Sequence, residues 1–525
     1  MPSQAELLLK KLISLKIKNP NRLNKTKRNF ASQNKSGMIS NAQLLGVYKK
    51  LLKQNKIKPD QALENLLQKR KIRTLSGVAP VAVLTKPYAC PGKCAFCPTE
   101  KQMPKSYLSN EPAVMRAILT KFDPHTQVSV RIRALEENGH ATDKIELIIM
   151  GGTWSCFPRQ YQNWFVKRCF DSANKRTAKN LDQAHKWNEK AKHRIVALTV
   201  ETRPDYVDKK EIAYWRKLGA TKVELGVQAI DDKILKKNQR GHGVKEIEKA
   251  TLLCKQAGLK VAYHMMPNLP GATPAKDLQF FKKLFSDKRF QPDLLKIYPT
   301  VVTREAKIFN WWRAGKYKPY SQKQLINLLK KIKKIVPEYV RIIRLIRDIP
   351  AESIVAGNKV SNLRELLQEE LKQENTCCRC IRCREVREDL AGIKSAKLFL
   401  TKYKASNATE FFLQFASSDR KKVFAFLRLR LPNKNEQNFV PEIQNCAMIR
   451  EIHTYGRLVP LKKTTKAVQH IGLGKKLMQQ AENLAKKNGY TKMAVISGIG
   501  VRGYYKKLGY KQIGTYMVKN IKYKK

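Results

Sequence analysis

Three cysteines in one short segment have the spacing of an iron-sulfur ligand set. Cys90, Cys94 and Cys97 form a C-x3-C-x2-C pattern in a loop that contains Pro91 and Gly92. A cubane 4Fe-4S cluster has four irons, so three cysteine ligands leave one iron free to chelate a substrate. A tetrahedral zinc site is the alternative, but zinc commonly recruits a nearby fourth ligand, and none is adjacent here. The spacing therefore favours a cluster with one open iron.

This pattern resembles the cysteine motif of the radical S-adenosylmethionine (SAM) superfamily, in which SAM occupies the open iron. Gly151 and Gly152 follow a strand-like run, where glycine lets a backbone approach the methionine part of SAM. Glu201, Arg203 and Gln228 follow other strand-like runs, and we predict that they contact the same cofactor; each could instead be an ordinary loop residue. A 4Fe-4S cluster and SAM are the predicted cofactors.

A second glycine-containing segment lies near the carboxyl terminus, at Gln469–Gly474, before a run with helical apolar spacing. Free N–H groups at a helix N-terminus can bind a pyrophosphate, and glycine permits close approach. The arrangement resembles the acetyl-CoA loop of the GNAT acyltransferase fold, although a simple helix-entry turn is the alternative. Tyr504 and Tyr505 lie where such folds often place a phenol near the thioester sulfur, and either could instead be a core aromatic.

Cysteine distribution favours metal over disulfides. Of the 11 cysteines, seven fall in the segments 90–97 and 377–383, in a chain with no predicted export signal. The first 17 residues interleave lysines among leucines and do not resemble a cleaved signal. The longest apolar runs fall far short of the ~20 residues that span a bilayer. We therefore predict a cytoplasmic protein without a membrane span.

Alternating strand-like and helical segments predict the elements that position these residues. Such alternation implies an α/β fold with a mostly parallel sheet, here a partial (β/α)6 barrel with helices outside. Ligands of such folds gather at the carboxyl ends of the strands. The six strand-like runs are Val81–Leu84, Ile145–Met150, Ile195–Val200, Lys222–Val227, Lys260–His264 and Leu294–Tyr298.

Two further domains and a linker complete the predicted organisation. Residues 1–75 form a basic helical arm, residues 76–360 the barrel, residues 361–393 a metal-binding linker, and residues 394–525 a second α/β domain. In this last domain the pattern predicts strands at 423–431, 447–455 and 493–496 and a helix at 475–487.

The charge balance favours a polyanionic partner. Lys and Arg number 105 against 42 Asp and Glu, giving a formal net charge of +63. The basic run between Lys16 and Lys35 favours RNA binding by the arm, with a helical cap over the next domain as the alternative. The net charge has two other interpretations. It could be ordinary solvated surface charge, or it could serve binding to anionic membranes.

Several motifs together resemble one family, that of the Elongator catalytic subunit. They are the cysteine motif at 90–97, Met150–Thr153, Cys378–Val386, Ile449–Gly456 and Gln469–Gly474. The resemblance implies a radical SAM barrel followed by a GNAT-like acetyltransferase domain. It also implies an acyltransferase that makes 5-carboxymethyluridine at the wobble position of tRNA. In that reaction an adenosyl radical takes hydrogen from the acetyl methyl of acetyl-CoA, the carbon radical adds to carbon 5 of uridine 34, and hydrolysis releases CoA.

The resemblance also implies roles for individual residues. Catalytic roles fall on Lys144, His453, Tyr504 and Tyr505, and a structural zinc on Cys378, Cys380 and Cys383. Composition alone would instead make Lys144 an exposed surface lysine, and an incidental or reactive cysteine run is the alternative to zinc. The implied acetyl-CoA contacts are Lys144, Glu451, Ile452, His453, Thr454, Leu473, Gly474, Lys475 and Tyr505.

The predicted partners are tRNA, acetyl-CoA and an electron donor for the cluster; accessory subunits are possible but not required by the sequence. Two other functions stay open. One is a protein lysine acetyltransferase in which the iron-sulfur cluster only stabilises the fold. The other is a non-catalytic RNA-binding scaffold, for which the positive charge suffices.

Overall fold

The computed structural model describes residues 2–68, 76–387, 391–433, 436–456 and 472–521. No helix in these ranges is both long enough and apolar enough to cross a membrane.

Four amphipathic helices form the amino-terminal arm. Each begins after a Ser, Asn or Asp whose side chain accepts a hydrogen bond from a backbone N–H of the first turn. Their leucines, together with Phe30 and Tyr48, pack into a small core of their own. The helices are α1 (Gln4–Ser14), α2 (Pro20–Gln33), α3 (Asn41–Lys53) and α4 (Gln61–Leu67). The structure thus has the predicted helical arm.

Seven parallel strands, paired in sequence order, form the barrel sheet. The first six strands correspond to the six strand-like runs of the sequence, so those predictions are confirmed. The seventh was not predicted, because its four residues begin and end with arginine and no apolar run marks it. The strands are β1 (Ala79–Leu84), β2 (Lys144–Met150), β3 (Arg194–Thr202), β4 (Lys222–Gln228), β5 (Lys260–Met265), β6 (Leu294–Ile297) and β7 (Arg341–Arg344).

Ten helices follow or connect these strands. Outward-facing strand residues such as Val223 and Leu225 are fully buried in one large core with apolar residues of the helices. The helices are α5 (Pro112–Leu119), α6 (Pro124–Glu137), α7 (Arg159–Asn174), α8 (Leu181–Asn188), α9 (Lys209–Leu218), α10 (Asp232–Lys237), α11 (Val244–Gln256), α12 (Pro274–Ser286), α13 (Ile308–Arg313) and α14 (Gln322–Ile335).

A short linker joins the barrel to the second domain. It contains α15 (Leu363–Gln373) and α16 (Ile381–Arg384). The N–H of Ile381 donates to the carbonyl of Val340 beside the barrel sheet, at 2.9 Å. The N–H of Val386 donates to the carbonyl of Val423 in the second sheet, at 3.1 Å. The linker is therefore hydrogen-bonded to both domains.

The second domain is a mixed sheet with two helices. The strands lie in the order β13-β14-β12-β11-β10-β9-β8, and β11 and β12 are the one parallel pair among the described strands of this second sheet. The elements are β8 (Lys397–Ala405), β9 (Ala408–Ala416), β10 (Val423–Pro432), β11 (Ala447–Thr454), α17 (Leu473–Lys487), β12 (Lys492–Val495), α18 (Arg502–Lys506), β13 (Lys511–Ile513) and β14 (Tyr516–Asn520). The strands β8, β9, β13 and β14 add to those predicted.

The second domain packs against the amino-terminal ends of the barrel strands. Arg450 on β11 is fully buried and pairs with Asp293, which directly precedes β6, and with Glu410 on β9. Gly498 lies against β3 so closely that a Cβ there would be 2.0 Å from the carbonyl oxygen of Val196. The cysteine loop after β1 lies at the opposite, carboxyl end of the barrel.

Candidate functional site

The loop that carries the first cysteine group lies at the carboxyl end of β1. The N–H of Ala95 donates a hydrogen bond of 3.1 Å to the carbonyl of Asn238, and this bond fixes the middle of the loop. The N–H of Gly92 lies 3.4 Å from the sulfur of Cys90. A Cβ at Gly92 would lie 3.4 Å from the sulfur of Cys94 and 3.5 Å from that of Cys90. The backbone therefore runs close to these two thiols, and a Cβ at Gly92 would also lie 2.4 Å from Nη1 of Arg203, which would have to move.

Positive charge surrounds the thiol of Cys94. Arg240 donates to its sulfur at 3.1 Å. A hydrogen bond from Cys97 lowers the pKa of the Cys94 thiol to about 5, and the guanidinium groups of Arg240 and Arg203 act in the same direction, against the effect of burial. Because the thiolate is the metal-binding form of cysteine, this environment fits a metal ligand.

Side chains that can bind a metal gather at more than one place in the described part of the chain. In the described part of the chain, two groups of three ligating side chains have all their ligand atoms within 4.8 Å of one another: Cys378, Cys380 and Cys383, and Glu201, Glu224 and His264. The three thiols of the first cysteine group do not all lie that close together, although Cys94 and Cys97 share a hydrogen bond.

The two glycines after β2 adopt conformations that L residues rarely adopt. Gly151 has φ +134° and Gly152 has φ +98°. A Cβ at Gly151 would lie 1.9 Å from the hydroxyl oxygen of Thr85. Gly152 lines the central cavity, whereas Gly151 packs behind it. Gly152 is therefore placed to contact a ligand in the cavity, whereas Gly151 approaches protein atoms; the predicted contacts of the two glycines with SAM stay predictions.

Replacing Gly151 with alanine is expected to lower the free energy of unfolding by about 1–3 kcal/mol, because the residue would be strained at this φ. The displaced turn should also weaken SAM binding. Thermal unfolding and SAM titration check both effects. Gly37→Ala is the matched control, because nothing lies within 4 Å of a Cβ at Gly37. Equal stability of the two variants would contradict the prediction.

Polar side chains at the ends of β3 and β4 face the same mouth of the barrel. Glu201 accepts hydrogen bonds from the hydroxyl of Tyr107 at 3.2 Å and from the ammonium of Lys296 at 3.1 Å. Arg203 donates twice to Asp205. Nη1 of Arg203 and Oε1 of Gln228 are buried without a hydrogen-bond partner in the described residues. These two atoms are suited to a polar cofactor.

The predicted acetyl-CoA loop lies at the start of α17. Gly472 has φ +81° and precedes the first helical residue. Gly474 and Lys475 line the central cavity, whereas the side chain of Leu473 is buried in the core. Only the backbone of Leu473 can therefore make the predicted contact with acetyl-CoA. The preceding residues of the motif, 469–471, lie outside the described residues.

The edge of β11 next to this loop is open. β12 pairs with β11 only at Ala447, Met448 and Ile449. Among the described strands, the β12-facing edge of β11 beyond Ile449 has no partner, so its backbone groups are available to an extended ligand. A Cβ at Gly474 would lie 3.4 Å from the hydroxyl of Tyr504, so this phenol lies beside the start of α17.

The other predicted acetyl-CoA residues lie where the two domains meet. Ile452, Thr454 and Tyr505 line the cavity, and so does Lys144, which begins β2 and whose pKa is lowered by burial. The ring Nε2–H of His453 donates to the carbonyl of Ser76, and burial lowers the pKa of this histidine. Its imidazole is therefore neutral at pH 7.

Glu451 is ionised at the same junction. It accepts hydrogen bonds from Nε of Arg428 at 2.8 Å and from Nζ of Lys260 at 3.2 Å. Burial alone would raise the pKa of Glu451, but the charges of Lys260 and Arg428 hold it at about 2. Because Lys260 begins β5, this ion pair joins the two domains directly.

One continuous cavity of 1530 Å³ links the cysteine loop to the predicted acetyl-CoA site. Its wall includes Cys90, Cys94 and Cys97 at one end and Lys144 and Tyr504 at the other. Among the predicted site residues outside the linker, Gly151 and Leu473 do not contribute to this wall. The structure therefore brings the two predicted sites, which come from different domains, into one chamber.

Charged residues inside the barrel form a network that the sequence analysis missed. Nζ of Lys222 lies 2.6 Å from Glu146, and Nε2 of His264 lies 3.0 Å from Glu224. The ammonium of Lys296 pairs with both Glu224 and Glu201, so it supplies the positive charge that a metal would bring to these carboxylates. Lys222, Glu224 and Gln228, at alternate positions of β4, are the signal that could have predicted a polar barrel interior.

The second cysteine group is compact and partly buried. Its three thiols exchange hydrogen bonds, which raise the pKa of Cys378 and lower that of Cys383. Nζ of Lys333 also lies 3.6 Å from the sulfur of Cys383. Cys377 is exposed and does not belong to the group. Three thiols this close together fit a zinc site, and the lowered pKa of Cys383 favours one thiolate ligand. No fourth side chain joins the group in the described residues.

Sequence comparison with known families supports both domains. The family model "Radical SAM superfamily" matches residues 85–284, "Radical_SAM C-terminal domain" matches residues 292–373, and "Acetyltransferase (GNAT) domain" matches residues 446–521. A radical SAM domain implies a 4Fe-4S cluster and SAM, and acetyl-CoA fits a GNAT domain. The predicted fold class is thereby confirmed.

Full-length relatives define the family. The chain is 47% identical to a tRNA uridine(34) acetyltransferase of Methanocaldococcus infernus, over 87% of this chain and 88% of the relative. It is 37% identical to Elongator complex protein 3 of Homo sapiens, over 87% of this chain and 86% of the relative. A solved structure of the archaeal Methanocaldococcus infernus Elp3 with an amino-terminal deletion superimposes with a TM-score of 0.74 at 43% identity, covering 85% of this chain and 99% of that one. The chain therefore belongs to the family of the tRNA uridine(34) acetyltransferases and Elongator complex protein 3, and it is an acyltransferase that joins a radical SAM domain to a GNAT domain.

Proposed function

We propose that this enzyme modifies the wobble uridine of tRNA by attaching a carboxymethyl group, derived from acetyl-CoA, to carbon 5 of uridine 34. The single observation that carries the proposal is the 1530 Å³ cavity, which joins the cysteine loop to the acetyl-CoA site. The names of the relatives, which specify uridine 34 of tRNA, support the choice of substrate.

In the barrel, Cys90, Cys94 and Cys97 hold the cluster, and Arg240 keeps Cys94 in its thiolate form. Arg203 and Gln228 offer their unpartnered buried atoms to the polar groups of SAM. When bound there, the cluster and SAM would supply radical chemistry that can remove a hydrogen from the acetyl methyl group. An electron donor outside the chain is required for this chemistry.

In the GNAT domain, the backbone N–H groups at the start of α17 bind the pyrophosphate of acetyl-CoA, because a helix N-terminus attracts anions. The open edge of β11, from Glu451 to Thr454, binds the part of the pantetheine arm next to the pyrophosphate. Tyr504 places its hydroxyl beside Gly474, where it can donate a hydrogen bond to the bound ligand. Its pKa is raised by burial, so the phenol stays protonated at neutral pH.

One assay tests the proposal. Reduced, cluster-loaded protein is incubated with tRNA, acetyl-CoA and SAM, and the tRNA nucleosides are analysed by mass spectrometry. Formation of 5-carboxymethyluridine together with 5'-deoxyadenosine is the expected result. Acetylated protein lysine without any requirement for SAM would instead indicate a protein acetyltransferase. Binding of tRNA without either product would indicate a scaffold.

The amino-terminal arm is proposed to bind the tRNA backbone. The arm places exposed basic residues on one short stretch, including Lys16, Lys18, Arg22, Lys25 and Arg28. Each phosphate contact releases counterions, so affinity falls as salt rises. A cytoplasmic location would place the enzyme with its tRNA substrate. All 11 cysteines fall within the described residues and are free thiols, which agrees with a reducing compartment.

Replacing Lys18, Arg22 and Lys25 together with alanine is expected to weaken tRNA binding and to flatten its salt dependence. The slope of log affinity against log salt should fall by about 1 for each phosphate that the variant no longer neutralises. Binding titrations at several salt concentrations measure the slope.

The matched control replaces three exposed lysines on outer helices of the barrel, Lys276, Lys323 and Lys331. An equal loss of affinity in both triple variants would show that total charge, and not the arm, determines binding.

We also propose that Cys378, Cys380 and Cys383 bind a structural zinc that braces the two domains. The linker that carries them is hydrogen-bonded to both sheets. Cys380→Ser is expected to release the zinc and to lower the unfolding temperature, because metal binding contributes to folding. Metal analysis and thermal unfolding check this, with Cys377→Ser as the control. Full zinc content in Cys380→Ser would contradict the assignment.

A further inference from the structure

Alternate residues of the barrel strands line the cavity along the whole length of the barrel. In β2 these residues are Lys144, Glu146, Ile148 and Met150. The same alternation holds in β4 from Lys222 to Gln228, while the intervening residues are buried in the outer core. Because side chains alternate between the two faces of a strand, the lining residues form one continuous inner wall. The cavity is thus a lumen that runs from one end of the barrel to the other.

The two cofactor regions lie at opposite ends of this lumen. Lys144 is at the amino-terminal end of β2, beside the GNAT domain, and Met150 is at the carboxyl end, beside Gly152 and the cysteine loop. Seven residues of a strand, at about 3.3 Å each, span about 20 Å. An acetyl group held at the GNAT domain must therefore cross the barrel before it can meet a radical formed at the cysteine loop.

The GNAT domain closes the amino-terminal end of the lumen by direct packing. Nζ of Lys260 lies 3.2 Å from Glu451, and the ring of His453 donates to the carbonyl of Ser76 just before β1. A Cβ at Gly500 would lie 2.6 Å from the Cβ of Arg194 at the start of β3. These contacts come from several sides of the barrel, so the lumen is the direct route between the two regions.

On the basis of the proposed function, on which this inference rests, we infer that the barrel lumen binds the pantetheine arm and thioester of acetyl-CoA. The arm enters between the GNAT domain and the barrel, and the acetyl group reaches the carboxyl end while it is still attached to CoA. No bond forms or breaks during this passage. The charged network of the wall supplies matching partners: Lys222 and Lys296 can donate to amide carbonyls, and Glu146 can accept from amide N–H groups.

Ala82 offers a place to obstruct the passage without touching either cofactor region. It lines the lumen near the middle of β1 and is the register partner of Ile148 on β2. Ala82→Trp would place an indole across the lumen. Ala275→Trp is the matched control, because Ala275 is exposed on α12, on the outside of the barrel.

The test measures three quantities in each variant: modified uridine, 5'-deoxyadenosine formed from SAM without acetyl-CoA, and binding of 3',5'-ADP, the nucleotide end of CoA. Ala82→Trp is expected to reduce modified uridine by on the order of 100-fold, as misplacement of a reacting group by about 1 Å can. It should leave the other two quantities unchanged. Ala275→Trp should match wild type, and Ile148→Ala added to Ala82→Trp should restore part of the product by reopening space.

Two results would overturn the inference: wild-type product formation in Ala82→Trp, or full recovery of that variant at high acetyl-CoA, which would indicate that acetyl-CoA enters from the carboxyl end. If Ala82→Trp loses 3',5'-ADP binding or SAM cleavage, Ile148→Trp applies the same obstruction from β2, and wild-type turnover there also overturns the inference. Absence of modified uridine in the wild-type enzyme would instead refute the proposed function itself.

Discussion

Replacing Cys94 with alanine is expected to abolish both modified uridine and 5'-deoxyadenosine while leaving acetyl-CoA binding intact. Cys94 is nearly fully buried, and its sulfur accepts a hydrogen bond from Arg240. Removing one of three ligands should cost more than the 10- to 100-fold that is typical for mutation of an outer partner of a metal ligand. Nucleoside mass spectrometry and the iron content of the purified protein measure the effect.

Cys377→Ala is the control for this experiment. Cys377 is exposed, far along the chain from the cysteine loop and outside the compact thiol group of the linker. The Cys377→Ala variant should therefore retain its iron and its activity. If Cys94→Ala kept the cluster and still made modified uridine, the assignment of the three cysteines would be wrong.

The second large effect concerns stability. Arg450→Ala is expected to lower the free energy of unfolding by about 3 kcal/mol, because it removes the cation that bridges two buried carboxylates. Asp293 then keeps only its longer contact with Arg428, and Glu410 keeps Arg430. Arg450, Asp293 and Glu410 all have side chains with 0% exposure, and Nη1 of Arg450 lies 3.0 Å from an oxygen of each carboxylate. The pair also joins the two domains, so its removal should loosen their packing. Denaturant unfolding followed by tryptophan fluorescence measures the change.

Arg289→Ala tests whether burial is the cause. Arg289 also pairs with two carboxylates, those of Asp287 and Glu248, but its side chain is 46% exposed. Exposed ion pairs contribute no more than about 1 kcal/mol, so this variant should be nearly as stable as wild type. Equal effects of Arg450→Ala and Arg289→Ala would contradict the argument.

The buried pair also predicts a pH dependence. Arg450, followed by Lys255 and Arg428, holds the pKa of Asp293 below its ordinary value, against the effect of burial. A carboxyl group whose pKa is lower in the folded state stabilises the protein above its unfolded pKa of about 4. This stabilisation is lost as the pH falls towards the folded value. The difference in stability between wild type and Arg450→Ala should therefore shrink in acid.

Local patterns were sufficient to predict most of the strands. Strand-like runs and helical periodicity located six of the seven barrel strands, and the spacing of Cys90, Cys94 and Cys97 identified the loop that follows β1. These features depend on residues that are close in sequence, so periodicity and spacing report them. The strand Arg341–Arg344 was missed because two of its four residues are charged and are recognisable as strand only by their pairing with β6.

The chain's own sequence thus determined which domains are present, where their cysteines and glycines lie, and which family they resemble. Only the tertiary structure decided how the two sites relate: the GNAT domain covers the amino-terminal end of the barrel, the cysteine loop lies at the other end, and one lumen joins them. The contacts responsible, such as Arg450 with Asp293 and Glu451 with Lys260, join residues more than 150 positions apart. No local pattern encodes such pairings, because they exist only once both sheets have folded and packed together.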